Sequence, residues 1–169
     1  LMQIGLLYDG AHSTLLLADN PDATIVDADI RGPADVLSSP QLRKLIDFEQ
    51  PVAVLMVAIL HFVTPEEDPA GIVGAYRDAL PAGSWLALSH ATNEDRPETA
   101  AAVTRLYNSR ATSQVSTRSH DEIHALFDGF ELTEPGLVYV PLWRPDPEEQ
   151  VPDRPSEYWV YAGVGRKSG

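Results

Sequence analysis

Val52-Ala-Val-Leu-Met-Val-Ala-Ile-Leu-His61-Phe62 is an unbroken apolar run ending on a histidine, and Leu80-Pro-Ala-Gly-Ser-Trp-Leu-Ala-Leu-Ser-His90 repeats the design one helix later. A continuous apolar run of this length suits a strand buried on both faces, and such strands belong to parallel sheets covered by helices. Ile72, Val73, Tyr76 and Leu80 recur at helical spacing between the two runs, which predicts a strand, a helix and a parallel strand. Ligands of such sheets bind beyond the C-terminal ends of the strands. His61 and His90 both fall there, so these two ends are the first place to look for chemistry.

The same alternation extends outward. Gln3 to Asp9 reads as a short strand ending on an acid, His12 to Ala18 as a brief helix, and Ala23 to Ile30 as a second strand closing on acids. Ser39-Pro40 supplies a cap and a first-turn proline for a helix to about Phe48. Arg96 to Asn108 is a predicted helix, with Tyr107 inward. Ser119 and Glu122 have the spacing of a capping box, with Ile123, Leu126 and Phe127 as the apolar face behind it. Strands are expected at Phe130 to Glu134, Leu137 to Trp143 and Tyr158 to Val164, with the segment Arg144 to Pro155 as a loop. Two antiparallel strands around that loop would close the sheet.

Composition narrows the function. With 25 acidic against 12 basic residues the net charge is -13, which repels phosphate backbones and anionic lipid, so neither nucleic acid nor membrane is an expected partner. There is no cysteine, which removes disulfides, thiolate metal sites and cysteine nucleophiles and suits a reducing, cytoplasmic setting. No apolar run approaches the roughly 20 residues of a membrane span. At 169 residues the chain suits one domain over residues 1–169. It opens on Leu1, already inside an apolar run, as expected of a chain that starts part-way into a longer protein.

Several motifs together resemble one family. Ala18-Asp-Asn-Pro21, Asp27-Ala-Asp-Ile-Arg31, Pro51-Val-Ala-Val-Leu55, Leu60-His-Phe-Val63, Arg77-Asp-Ala-Leu80, Gly83 to Thr92, Phe127-Asp-Gly-Phe-Glu-Leu132, Glu134-Pro-Gly-Leu137, Trp143-Arg-Pro145 and Trp159 to Lys167 are similar to the class I S-adenosyl methyltransferase family of unknown substrate abundant in actinobacteria. The resemblance implies an α/β, three-layer, Rossmann-like methyltransferase sheet, mostly parallel with an antiparallel C-terminal strand pair. It also implies S-adenosyl-L-methionine as cofactor and a small-molecule methyl acceptor. By the same resemblance Asp29 would accept from the adenine amino group and Ile30 would pack on the ring. Ala58, Ile59, Leu60 and His61 would line the methionine side and the substrate mouth. The family's front segment carries a Gly-rich loop that this chain does not show. Asp9 is the candidate for the ribose-binding acid, although it stands nearer Asp29 than the family spacing.

Each candidate has a plainer reading. Asp29 is either a cofactor acceptor or the cap of its own turn. His61 is either the base that takes the acceptor's proton, its ordinary pKa of about 6.5 suiting that task, or a packed residue bonded to a loop carbonyl. His90 is either a substrate contact or core. His120 and His124 share a helix face, but a capped amphipathic helix accounts for them and no metal site is assigned. Gly163-Val-Gly-Arg-Lys-Ser168 lacks the upstream glycine of a phosphate loop and reads as a frayed tail. Two rivals to the enzyme reading stand beside it. One is a truncated, catalytically silent binding or dimerisation module forming a homodimer. The other is a dinucleotide-dependent enzyme, which the missing glycine fingerprint disfavours.

Overall fold

The computed structural model describes residues 2–3, 20–95, 98 and 114–169. The strands β1 (Met2–Gln3), β2 (Ala53–Val57), β3 (Trp85–Ala91), β4 (Phe130–Leu132), β5 (Val138–Tyr139) and β6 (Val160–Lys167) form one sheet. Its order is β1-β2-β3-β6-β4, with β5 also paired to β6. The helices are α1 (Pro33–Ser38), α2 (Pro40–Leu45), α3 (Pro69–Asp78) and α4 (His120–Ala125). None of the helices among the described residues is long and apolar enough to cross a membrane.

β2 and β3 run parallel and in register, Ala53 beside Trp85 and Val57 beside Ser89, with α3 as the crossover. Val54, Met56, Leu86 and Leu88 are buried, and Ile72, Val73 and Tyr76 of α3 belong to the same core. Asp68 starts α3 by accepting from the Gly71 amide at 3.0 Å, with Pro69 in the first turn where no amide is missed. The expected capping box is formed at α4: Ser119 Oγ accepts from the Glu122 amide and Glu122 Oε2 from the Ser119 amide.

The described strands correct one expectation. β1–β2 and β2–β3 are parallel, whereas β6 meets β3, β4 and β5 antiparallel, so the described sheet is mixed rather than mostly parallel. The reason is the placement of β6, which runs down the middle of the C-terminal half and gives three neighbours an antiparallel partner. Residues 23–30 form no strand, since no described strand lies alongside to pair them. The strand expected over Leu137 to Trp143 is cut to Val138–Tyr139 because Pro141, which has no amide to give, begins a 3-10 turn over Val140–Leu142. Asp9, His12 and Tyr107 lie outside the described residues.

The supposed frayed tail is sheet. Lys167 donates its amide to Ser84 and accepts from Gly83, and its Nζ donates to the carbonyls of Arg77 and Leu80 at the end of α3. Its two glycines serve packing: a Cβ on Gly163 would stand 3.1 Å from Phe127, and one on Gly165 would meet Phe130.

Candidate functional site

At the C-terminal end of β2 the chain turns sharply. Ala58 adopts a left-handed backbone, φ 53°, with its amide donating to Ser89 Oγ on β3 at 3.0 Å. A non-glycine residue is held in this conformation only when its surroundings compel it. Ala58 and the preceding Val57 are exposed, whereas Ile59 and Leu60 turn into the core. Of the three residues expected to line the methionine side, only Ala58 therefore presents its side chain outward. A 3-10 turn over Leu60–Phe62 then carries His61.

His61 is half-buried, its ring 5.9 Å from that of His90 in an edge-to-face arrangement. Its Nδ1 is buried and, among the described residues, has no hydrogen-bond partner. Burial, and secondarily the nearby Arg118 cation, hold its pKa below the ordinary histidine value, so the ring is neutral at physiological pH. His90 differs. It is fully buried, its Nδ1 donates to the Ala91 carbonyl at 2.8 Å, and its Nε2 accepts from Arg118 at 2.5 Å. A carbonyl can only accept and a guanidinium can only donate, so the tautomer is fixed. Burial pushes its pKa down to about 4. With both nitrogens engaged, His90 supports the site from within and offers a substrate no free atom.

Arg118 carried no signal in the sequence. It is 5% exposed, and its guanidinium also donates to the carbonyls of Leu60 at 3.1 Å and Val63 at 2.8 Å. Backbone carbonyls have no sequence signature, which is why no spacing rule finds such a residue.

Asp29 stands on a neighbouring turn. Its carboxylate accepts from the Arg31 amide at 2.9 Å and from Arg31 Nε at 2.8 Å, and Arg31 reaches on to Glu67 at 2.7 Å. Glu67 in turn accepts from the Thr64 amide, so one arginine couples the Asp29 turn to the loop after β2. The hydrogen bonds from Arg31 hold the Asp29 carboxyl below the usual range, and it is ionised and exposed. Ile30 is buried in the core cluster. Tyr76 is buried beneath this region with its hydroxyl unpartnered, its pKa pushed up to about 12 by burial and then by the Asp29 charge.

Beyond β3 a rim of polar groups closes the same end. Tyr161, the cross-strand partner of His90, stacks on Tyr139 at 4.2 Å and donates to Glu94. Tyr139 donates to Asp95, and Glu94 accepts the His120 amide. His120 Nε2 donates to the Leu137 carbonyl at 3.2 Å, which commits that nitrogen. Among the described residues no cluster of three metal-ligating side chains occurs. A shallow groove of about 390 Å³ between α3 and α4, lined by Gly71, Gly74 and Ala125 among others, contains none of the candidate residues.

The described arrangement thus places a neutral imidazole whose Nδ1 is unpartnered among the described residues, a left-handed turn and an ionised carboxylate on the turns beyond the C-terminal end of β2 and beside it. This chain is similar to a DUF574 family protein from Streptomyces avermitilis MA-4680, with 39% identity and a TM-score of 0.83 over 92% of this chain and 60% of that one. It is likewise similar to a methyltransferase candidate from Thermobifida fusca YX, with 37% identity and a TM-score of 0.85 over 94% and 59%. The chain spans about three fifths of the length of these relatives. An O-methyltransferase family protein from Burkholderia thailandensis, 14% identical, shares the fold with a TM-score of 0.57 over 94% of this chain and 40% of that one. A search of curated proteins finds no match. The model of one family, S-adenosyl methyltransferase, matches residues 10–168, and the chain belongs to that family.

Proposed function

We propose that this chain is the greater part of an enzyme that moves the methyl group of S-adenosyl-L-methionine to a small-molecule acceptor, with His61 as the base on the acceptor side. The observation that carries this reading is the buried Nδ1 of His61, which has no partner among the described residues and sits at the strand end beside the exposed, left-handed Ala58. A buried polar atom left without a hydrogen bond costs about 1–3 kcal/mol, and a ligand or its bound water would recover that.

The residues fit the cofactor. Asp29 is ionised and exposed, and its oxygens have acceptor capacity beyond the Arg31 bonds, as an adenine amino group requires. Ala58 presents a small, exposed side chain where the methionine portion would pass. Asp9 would supply the ribose acid. When bound, the cofactor supplies an electrophilic methyl on a sulfonium. The protein's part is alignment of the acceptor and removal of its proton. His61 is neutral at pH 7 and so able to accept that proton, and the acidic chain favours a cationic cofactor by long-range attraction.

The test is calorimetry with S-adenosyl-L-methionine and S-adenosylhomocysteine, followed by an acceptor screen that reads S-adenosylhomocysteine release. Micromolar binding is the expected result. Absence of heat at millimolar cofactor sinks the enzyme reading and leaves the silent-module alternative.

A further inference from the structure

Arg118 occupies a costly position. Moving a guanidinium out of water costs several kcal/mol even after relaxation, and among the described residues no carboxylate bonds to it directly. It is held instead by two carbonyls of the turn after β2 and by one imidazole nitrogen at the end of β3. The backbone around it makes the same bridge, since the Ser116 amide donates to the His61 carbonyl at 2.7 Å and the Arg118 amide to the Ala91 carbonyl at 3.2 Å. The segment leading into α4 is therefore a clasp across both strand ends, with the cation at its centre.

A packing role alone does not require a charge there; a methionine of similar length would fill the space without the desolvation cost. Two consequences follow from the charge and the fork. The carbonyls of Leu60 and Val63 flank His61 on either side in sequence, so fixing both fixes the turn that carries the ring. The guanidinium can only donate, so it commits His90 Nε2 as acceptor and leaves the edge-to-face His90 ring unable to donate toward His61.

We propose that Arg118 is the positioning residue of this site, holding the His61 turn in one conformation and occupying His90 Nε2 so that the His61 ring keeps Nδ1 uncommitted. This rests on the reading of His61 as the base. The titratable and charged groups that face the pair among the described residues are Arg118 itself, each imidazole toward the other, and Glu122 of α4, whose charge acts on Arg118 and His90.

Imidazole nitrogen NMR over a pH series tests it, on the wild-type protein, Arg118→Met and Arg118→Lys. In the wild type His90 is expected as the Nδ1–H tautomer alone. In Arg118→Met the His61 titration is expected to move up, since a nearby cation is gone, the His90 Nε2 signal to shift because its donor is lost, and the His61 ring signals to split because the turn that carries the ring has lost both carbonyl anchors. Arg118→Lys restores the charge without the fork, so it should return the His61 titration toward the wild-type position while leaving the His61 ring signals split. A folded Arg118→Met with both histidines unchanged overturns the proposal. If Arg118→Met fails to unfold cooperatively, wild-type His61 ring signals in Arg118→Lys overturn it instead. Calorimetry with S-adenosyl-L-methionine on the wild type separates the two claims: no heat there defeats the methyl-transfer reading, whereas normal heat with unchanged histidines defeats only the role of Arg118.

Discussion

Gly165 and Phe130 approach so closely across the β6–β4 pair that a Cβ on the glycine would stand 2.8 Å from the Cβ of the phenylalanine, with Phe127 another 3.2 Å contact. Neither neighbour is the free end of a flexible chain, so the backbones must part to admit a methyl group. Gly165→Ala is expected to destabilise the protein by about 1–3 kcal/mol, the usual cost of overpacking. Urea unfolding reads this as a lower midpoint with an unchanged slope. An unchanged midpoint would mean that β4 yields at no cost.

Lys167 ties the end of β6 to the end of α3 through the carbonyls of Arg77 and Leu80, at 2.9 and 2.6 Å. Charged donors at a helix C-terminus satisfy orphan carbonyls and complement the helix dipole. Lys167→Met keeps the stem and removes the donor, and should cost about 1–2 kcal/mol. Thermal unfolding at low and high salt checks the claim, because a half-buried hydrogen bond is little screened and the loss should persist in salt.

His90 gives the fold an acid limit. Its native pKa of about 4 lies below the unfolded value of about 6.5, so between those pH values the unfolded chain binds a proton that the native chain does not. Stability is therefore complete above pH 6.5 and falls as pH drops toward 4, by about 3 kcal/mol from this residue. Carboxylates held low by their partners, Asp29 and Glu122 among them, act below about pH 4.5 and so in a more acid window. His90→Asn should be less stable at pH 7 and lose its share of the slope between pH 6.5 and 5, the remainder coming from His61, whose pKa is also held below the ordinary value. A variant that keeps the full slope would assign it to another group.

On the proposed reading, Asp29 serves binding and His61 serves chemistry. Asp29→Ala should weaken S-adenosyl-L-methionine by roughly tenfold, about 1.4 kcal/mol, through loss of an acceptor. His61→Ala should leave that affinity within about twofold and lower methyl transfer by roughly 10²–10⁴-fold. Calorimetry reads the first effect and the rate of S-adenosylhomocysteine release reads the second. The reverse pattern would exchange the two roles.

The sequence was most informative where a single element carries its own instructions. The apolar run from Val52, the helical stripe of α3 and the Ser119–Glu122 box each contain the reason for their structure, and each is found as expected. It was least informative where structure depends on a distant neighbour. Residues 23–30 have the composition of a strand, but composition becomes a strand only when another edge supplies hydrogen bonds. The glycines of β6 suggested a loose tail because nothing local announces Phe127 and Phe130 above them. The site shows the same division. His61 was marked by its place after an apolar run, whereas Arg118 is defined by carbonyls from another part of the chain. His90 was marked by the same rule as His61, yet one ends partly buried and the other enclosed, with both His90 nitrogens bonded to Arg118 and Ala91.

The position of β6 has a kinetic consequence. β3 finds its second neighbour only when Val160–Lys167 arrives, and β4 and β5 depend on the same strand. The Trp85–Arg166 pairing closes a long loop before it yields any contact, and that entropy must be met in advance. Half of the sheet is thus assembled late and together. Until then β3 offers an unpaired edge, which makes the unfinished chain, more than the finished one, the form that is vulnerable to association with its own copies.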